Sequence, residues 1–258
     1  MGGAMTKGWI KGRRPTVSAE KIVILDPTPG AAAQQVIEAG ARHMTEILAP
    51  INSLTHVMLA IKPQMFDDIA PRLEAYIPKD CLIVSVMAGV SLLRLGTAFP
   101  ERPLVRCMPN TPAAIGAGIT AFTATETVSQ AQKEMIAKLL AACGHVEEVE
   151  TENMIDIVTA VSGSGPAYVF YMVEALEAAA INAGMSEELA PIFARQTIIG
   201  SAALLKETDE SAEALRVAVT SPGGTTQAAL DTLMGEGGLA PLMANTVRAA
   251  LKRARELS

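Results

Sequence analysis

Hydrophobic and polar positions follow different periods in the two halves of the chain. Between residues 21 and 125, short and nearly unbroken apolar runs alternate with stretches of helical spacing. Such runs are typical of strands that are covered on both faces, as in a parallel sheet. The predicted strands are "KIVILD" (21–26), "HVMLAIKP" (56–63), "CLIVSVMAG" (81–89), "LVRCMP" (104–109) and "ITAFTA" (119–124), and the helices between them include Ala31–Glu38 and 65–76.

The alternation of strands and helices predicts the fold class. Strand, helix and strand in sequence imply right-handed crossovers and an α/β domain with a doubly wound parallel sheet, which we place at residues 1–125. After Ser129 the sequence shows no further strand pattern, and residues 126–258 are predicted to form an all-α domain. Its predicted helices are 129–142, 151–161, 165–183, 187–207, 211–218, 224–234 and 237–257.

The helical half is rich in Ala, Leu and Met, while aromatic residues make up only 3% of the chain. An ordinary hydrophobic core is one explanation of these apolar faces. So many small apolar faces with few aromatic side chains to fill space also indicate helices that pack closely against a second subunit. We therefore expect a homodimer or a higher homo-oligomer.

Composition and charge exclude several classes of function. The net charge of −6 argues against a nucleic-acid-binding protein, which needs clustered Lys and Arg; the basic run at residues 11–14 is interpreted as a solvated loop. No apolar run reaches the roughly 18 residues of a membrane span, and no secretory signal is evident at the start. The cysteines and histidines show no metal-ligand spacing, so we expect no metal and a cytoplasmic protein. They are Cys81, Cys107, Cys143, His43, His56 and His145.

The stretch "VTSPGGTTQAAL" (219–230) collects hydroxyl side chains and glycines directly before a predicted helix. Ser221 suits the N-cap of that helix, and Pro222 suits its first position, where a missing N–H costs nothing. The two glycines leave the amides of the helix start uncovered, and amides with hydroxyls form an anion site for a carboxylate or a phosphate. A well-capped helix after a glycine turn explains the same residues. The residues concerned are Ser221, Gly223, Gly224, Thr225 and Thr226.

Similar groups recur elsewhere. The segment "AVSGSGPAYVF" (160–170) repeats serines and glycines before Pro166, which is predicted to start a helix. Asn110 and Thr111 follow one predicted strand, and Lys62 follows another. Because parallel sheets bind ligands beyond the carboxyl ends of their strands, we expect these three side chains at the mouth of the sheet.

Five segments in one order and spacing carry a family resemblance: "AIKPQ", "MAGV", "RCMPNTP", "SGSGPAYVF" and "TSPGGTT". The chain resembles the pyrroline-5-carboxylate reductases over nearly its whole length. Members of that family join an NAD(P)-binding Rossmann domain to a helical dimerisation and substrate-binding domain. They transfer hydride from NADPH or NADH to the C=N bond of a cyclic imine that bears a carboxylate, which is the last step of proline biosynthesis.

The resemblance implies the roles of particular residues. The catalytic residues are Thr226, whose hydroxyl contacts the ring nitrogen, and Ser221, which helps to hold the carboxylate. Orientation matters more than acid–base strength in this reaction, because the imine carbon is already electrophilic. Further substrate-binding residues are Gly224, Thr225, Glu152, Thr159 and Ser162. The cofactor-binding residues are Gly2, Asp26, Ala60, Ile61, Lys62, Pro63, Val86, Met87, Ala88, Asn110 and Thr111.

The sequence departs from the family pattern at its start. Family members open with a strand and a turn of the form I-G-x-G-N-M-G, whereas this sequence begins at the Met-Gly of that motif. We therefore expect a sheet short of its first strand, with neighbouring strands left unpaired. The sequence is interpreted as a fragment or a mis-assigned start of a working reductase; a variant with impaired cofactor binding is the alternative. Asp26 ends a predicted strand where an acid favours NADH.

Two other classes of function remain as alternatives. Hydroxyacid dehydrogenases also couple a Rossmann domain to a helical domain, but they need a catalytic lysine where this chain has "SGSGPAY". A truncated or inactive dimeric protein of the reductase type is the non-enzymatic alternative.

Overall fold

The protein, seen in a computed structural model that describes residues 1–11 and 16–257, forms two compact units. One unit comprises Met1–Ser164 and Ala250–Ser258, and the other comprises Gly165–Ala249. The domain boundary predicted between residues 125 and 126 stays a prediction. The chain passes from the first compact unit to the second between Ser164 and Gly165, and it returns between Ala249 and Ala250. The basic run at 11–14 lies outside the described residues except for Lys11.

The first unit contains all the strands of the described chain, in two sheets. β1 pairs with β2 in parallel, and the other sheet has the order β3-β4-β5-β6-β7. β1 and β3 therefore belong to different sheets. This agrees with the expectation of a Rossmann-like sheet in which neighbouring strands are left unpaired. The strands are β1 Val23–Leu25, β2 Arg42–Met44, β3 His56–Leu59, β4 Leu82–Ser85, β5 Leu104–Pro109, β6 Gly118–Ala124 and β7 Gly144–Glu148.

The strand predictions succeeded where the apolar run was unbroken. β4 and β5 are buried at every position, and β5 has the predicted bounds. Two strands were missed, because β2 and β7 carry charged or polar residues and keep exposed positions that break the apolar pattern. The expectation that no strand follows Ser129 was therefore wrong. The sheet is also not wholly parallel, since β5 and β6 pair in the antiparallel sense.

The helices follow the predicted pattern closely. Ala31–Glu38 has its predicted bounds, and Ser129 begins another helix with a capping box in which its hydroxyl accepts from the Gln132 amide. The helices are α1 Gly2–Lys11, α2 Ala31–Glu38, α3 Phe66–Glu74, α4 Leu92–Ala98, α5 Gln130–Leu140, α6 Glu152–Val158, α7 Gly165–Asn182, α8 Ala190–Glu207, α9 Ala212–Ala218, α10 Thr225–Leu233 and α11 Leu239–Leu257. A π-helical turn, Thr159–Gly163, follows α6 directly.

The two units differ in how much apolar surface they bury. The first unit has a continuous core that joins α1, α2 and α5 to both sheets. In Gly165–Ala249, which the structure describes throughout, only Ala190 and Ala194 are buried. Large side chains such as Phe170 and Tyr171 are 61% and 70% exposed. Apolar helical faces left open in this way are typical of an interface with another subunit.

We predict that Gly144→Ala destabilises the first unit strongly. Gly144 has φ of 140°, and a Cβ atom there would collide with the backbone of Gly118 on the neighbouring strand β6. The expected loss is about 3 kcal/mol or more of unfolding free energy, measured by denaturant titration, because both backbone strain and a clash between strands are introduced.

Gly96→Ala is the matched control. Gly96 lies inside α4, where an added Cβ would make an ordinary contact with Leu104 at 3.6 Å. That variant should be neutral or should gain up to about 1 kcal/mol from helix propensity. Equal stability of the two variants would contradict the β6–β7 register described here.

Candidate active site

The carboxyl ends of three parallel strands bring most of the predicted cofactor residues to one edge of the sheet. Ala60, Ile61, Lys62 and Pro63 follow β3, Val86, Met87 and Ala88 follow β4, and Asn110 and Thr111 follow β5. The Val86 amide donates to the Leu59 carbonyl at 3.1 Å, which joins the ends of β3 and β4. Ala88 and Lys62 are exposed, so this edge is accessible.

The N-terminus of α1 packs against this edge through glycines. A Cβ atom on Gly2 would lie 2.9 Å from the Cβ of Ala60, and one on Gly3 would lie 3.0 Å from the Cβ of Ala32. Only glycine permits so close an approach. Because the first amide bonded within the helix is that of Met5, to the Met1 carbonyl, the amides before it can bind an anion with the support of the helix dipole.

The segment after β4 is held in a fixed backbone path. The Met87 amide is hydrogen-bonded to the Ser85 hydroxyl at 3.3 Å, and Val90 is fully buried. Gly89 has φ of 70°, and a Cβ there would lie 2.8 Å from the Leu257 carbonyl oxygen at the end of α11. The segment 86–90 therefore presents backbone, with little side chain, at the accessible edge.

Other predicted residues at this end of the unit already have partners. Asp26 follows β1 directly, and its Oδ1 accepts from the Thr28 amide at 2.9 Å. The side-chain oxygen of Asn110 accepts from the Ile119 amide at 3.0 Å, so it fixes the turn between β5 and β6. The Asn110 side chain thus holds the connection between β5 and β6 in place at the carboxyl end of β5.

The segment that follows α6 lies over the end of β5. Within the π-helical turn, the Thr159 hydroxyl donates to the Ile155 carbonyl and the Ser162 hydroxyl donates to the Val158 carbonyl. Gly163 approaches Met108 of β5, with its Cβ position 3.6 Å from the methionine sulfur. The predicted helix start at Pro166 is confirmed to within one residue, because α7 begins at Gly165, whereas Ser162 and Gly163 continue α6 as a π turn and do not belong to that start. Turns of this kind occur often at functional sites.

The structure corrects the details of the segment 221–226 in the second unit. Ser221 is not the N-cap and Pro222 is not the first helical residue; α10 begins at Thr225 with Gly224 as N-cap. Ser221 and Gly224 form a turn closed by a 3.0 Å hydrogen bond from the Gly224 amide to the Ser221 carbonyl. Thr225, the first residue of α10, is exposed, and Thr226, the second, is part-buried. The start of α10 is therefore open to a ligand.

Both glycines of this turn are required by geometry. Gly223 has φ of 72°, in the left-handed region, and a Cβ on Gly224 would lie 2.5 Å from the Ser221 hydroxyl oxygen. No side chain caps the start of α10. The uncapped amides of this helix start and the nearby Ser221 hydroxyl therefore form a group of donors that suits a carboxylate.

Sequence reasoning missed a buried arginine in the first unit. Arg106, in β5, is paired with Glu152 and Asp156 of α6 at 2.8 Å and 2.9 Å. Glu152, predicted to bind substrate, thus has its carboxylate in an ion pair. The signal that could have found this network was an arginine inside an otherwise apolar strand run, which demands a buried partner.

The three cysteine thiols are buried. Burial raises the pKa of the Cys81 thiol to about 11 and also raises the pKa of the thiols of Cys107 and Cys143. Thiols of this kind are poor nucleophiles near neutral pH. Among the described residues, no group of three His, Cys, Asp or Glu side chains could hold a metal ion. No helix of the described chain has both the length and the apolarity needed to cross a membrane.

Comparison with known proteins gives consistent matches. A family model described as pyrroline-5-carboxylate reductase dimerisation matches residues 152–257. The pyrroline-5-carboxylate reductase of Synechocystis sp. is 42% identical over 201 residues, which cover 78% of this chain and 74% of that protein. Pyrroline-5-carboxylate reductase 1 of Bacillus spizizenii is 32% identical over 260 residues, with coverage of 99% and 87%.

Solved structures agree with these matches. The structure of a pyrroline-5-carboxylate reductase from Coxiella burnetii has a TM-score of 0.89 at 32% identity and covers 99% of this chain and 94% of that chain. The Plasmodium falciparum pyrroline carboxylate reductase with NADP bound has a TM-score of 0.83 at 26% identity, with coverage of 100% and 94%.

Proposed function

The chain belongs to the pyrroline-5-carboxylate reductase family, and on that premise we propose which of its residues carry out the reduction. The protein is an NAD(P)H-dependent oxidoreductase of proline biosynthesis that converts 1-pyrroline-5-carboxylate to L-proline. The observation that carries the proposal is the open start of α10, where amides and hydroxyls converge without a side-chain cap. The hydroxyacid dehydrogenase alternative is set aside, because no relative reported above has that activity.

The start of α10 is proposed to hold the substrate carboxylate. The amides of Thr225 and Thr226, together with the Ser221 hydroxyl, offer donors and the positive end of a helix dipole to a negative group, whereas the Gly224 amide, also predicted to bind the carboxylate, already donates to the Ser221 carbonyl. The cradle carries no formal charge. It can therefore bind the carboxylate without forming a buried ion pair that product release would have to break.

Thr226 is proposed to orient the ring nitrogen. Thr226 is the second residue of α10, so its hydroxyl belongs to the same helix start as the amides that are proposed to hold the carboxylate. As hydride reaches the imine carbon, the C=N π electrons pass to nitrogen and the positive charge of a protonated imine disappears. A neutral hydroxyl can contact the nitrogen before and after this change, so orientation supplies most of the protein's contribution.

The edge of the sheet fits a nicotinamide nucleotide. The α1 amides beside Ala60 can bind a phosphate, and the exposed backbone of segment 86–90 can lie against a flat ring. When bound, NAD(P)H supplies the hydride. The residues proposed to hold it are Gly2, Asp26, Ala60, Ile61, Lys62, Pro63, Val86, Met87, Ala88, Asn110 and Thr111. Asp26 is proposed to favour the ribose 2′-hydroxyl of NADH over a 2′-phosphate.

The protein is a homo-oligomer, as the match to the family's dimerisation model indicates. We propose that its basic unit is a homodimer formed through the open apolar faces of Gly165–Ala249. The cytoplasmic location and the lack of nucleic-acid binding stay predictions.

Thr226→Ala should lower kcat/KM for the imino acid roughly 10- to 100-fold, the value of one hydrogen bond to a charged or developing centre. The measurement is steady-state oxidation of NADPH and of NADH with 1-pyrroline-5-carboxylate. Thr226→Ser keeps the hydroxyl and should recover most of the activity. Thr232→Ala, at an exposed position of the same helix, should match the wild type. If Thr226→Ala also matched the wild type, the proposed role of its hydroxyl would be excluded.

Gly224→Ala should raise KM for the imino acid several-fold and leave KM for the nucleotide unchanged. The reason is the added Cβ, which would press on the Ser221 hydroxyl oxygen and deform the carboxylate cradle. In Ser221→Ala/Gly224→Ala that oxygen is gone. The double variant should therefore lose less than the sum of the single losses, by about 1 kcal/mol of coupling. Strictly additive effects would show that the two residues do not act as one cradle.

A further inference from the structure

A buried ion network links three elements of the first unit. The Arg106 side chain, on β5, is 2% exposed; its Nη1 donates to Glu152 Oε1 at 2.8 Å and its Nη2 donates to Asp156 Oδ1 at 2.9 Å. Both carboxylates belong to α6, whereas Arg106 lies 46 and 50 residues earlier in the chain. The network therefore fixes α6 against β5.

Glu152 makes one more contact that Asp156 does not share. Its Oε1 also accepts from the Leu92 amide at 2.6 Å, across 60 residues of sequence. Leu92 is the first residue of α4, where the Ser91 hydroxyl accepts from the Arg94 amide. Glu152 thus caps the start of α4 from another element, and the helix dipole favours a carboxylate at that point.

Segment 86–90 is followed directly by Ser91, the N-cap of α4. At its other end this segment is held by the 3.1 Å bond from the Val86 amide to the Leu59 carbonyl. Between the two anchors lie the exposed Ala88 and the left-handed Gly89. The backbone path that is proposed to face the nucleotide is thus set by β3 at one end and by Glu152 at the other.

We propose that Glu152 is a positioning residue for the nucleotide, aimed by Arg106, and that it does not act as a direct ligand of the imino acid. Arg106 and the Leu92 amide share one carboxylate oxygen, so a shift of that oxygen moves the start of α4 and the preceding segment with it. This inference rests on the proposed function, because it assumes that segment 86–90 binds the nucleotide. It differs from the role that family resemblance implies for Glu152.

The test is a fluorescence titration of the purified protein with NADPH and with NADH in the absence of imino acid. Glu152→Ala should weaken the Kd for the nucleotide about tenfold, the loss expected for a hydrogen bond to a charged group. Glu152→Gln keeps a carbonyl oxygen for the Leu92 amide and should stay within about threefold of the wild type. Since the Glu152 side chain is 30% exposed, the Gln variant should also fold.

Two variants separate positioning from general stability. Asp156→Asn weakens the other arm of the network without touching Leu92, so it should lower Tm by several degrees and leave the nucleotide Kd within about twofold. Asp67→Ala removes an exposed ion pair to Arg94 of α4, with side chains 73% and 38% exposed, and should change neither quantity.

The outcomes are distinct. An unchanged nucleotide Kd in Glu152→Ala, with a raised KM for the imino acid, would overturn the inference and restore direct substrate contact. Equal weakening in Asp156→Asn and Glu152→Ala would also overturn it, because the network would then act only through stability. If Glu152→Ala does not fold, Glu152→Asp takes its place, because its shorter side chain withdraws the carboxylate from the Leu92 amide. About tenfold weaker nucleotide binding in that variant supports the inference, and wild-type binding overturns it. A wild-type protein that binds neither nucleotide would contradict the proposed function itself.

Discussion

The buried guanidinium of Arg106 is the constraint on which the first unit depends. A charge inside a sheet is costly unless it is paired, and breaking a buried pair costs about 3–5 kcal/mol. Because its partners lie on α6, that helix can pack only where Glu152 and Asp156 both reach β5. The π-helical turn that follows, and the contact of Gly163 with Met108, are positioned as a consequence. Arg106 therefore determines where the π-helical turn lies over the carboxyl end of β5.

The sequence predicted those elements whose burial is uniform. β5 and α2 have their predicted bounds, because an unbroken apolar run and a regular helical period leave little choice. β2 and β7 lie at the ends of their sheets, so they keep polar positions that resemble loops. Strand direction was also not predictable from local pattern: β5 and β6 pair in the antiparallel sense, and the connection between them, which contains a 3-10 helix, is held by the hydrogen bond from the Ile119 amide to Asn110.

The segments that form the candidate site could be predicted from the sequence, but their three-dimensional geometry could not. Glycines and hydroxyls at 221–226 indicated an anion site, but the position of the helix start depends on the left-handed Gly223, which no residue pattern fixes alone. The ion pair of Glu152 with Arg106 and its hydrogen bond from the Leu92 amide span too many residues for any periodicity to reveal. Family resemblance correctly identified the reaction, whereas the structure shows the contacts through which individual side chains can act.

The open helical faces of Gly165–Ala249 have a consequence for handling the protein. With only Ala190 and Ala194 buried, this unit cannot gain enough from burial within one chain to offset the entropy of ordering its helices. In the proposed homodimer, folding and association are then one equilibrium, and stability depends on the molarity of the sample. Dilution alone acts on such a molecule as a mild denaturant, so melting curves have meaning only at a stated protein concentration.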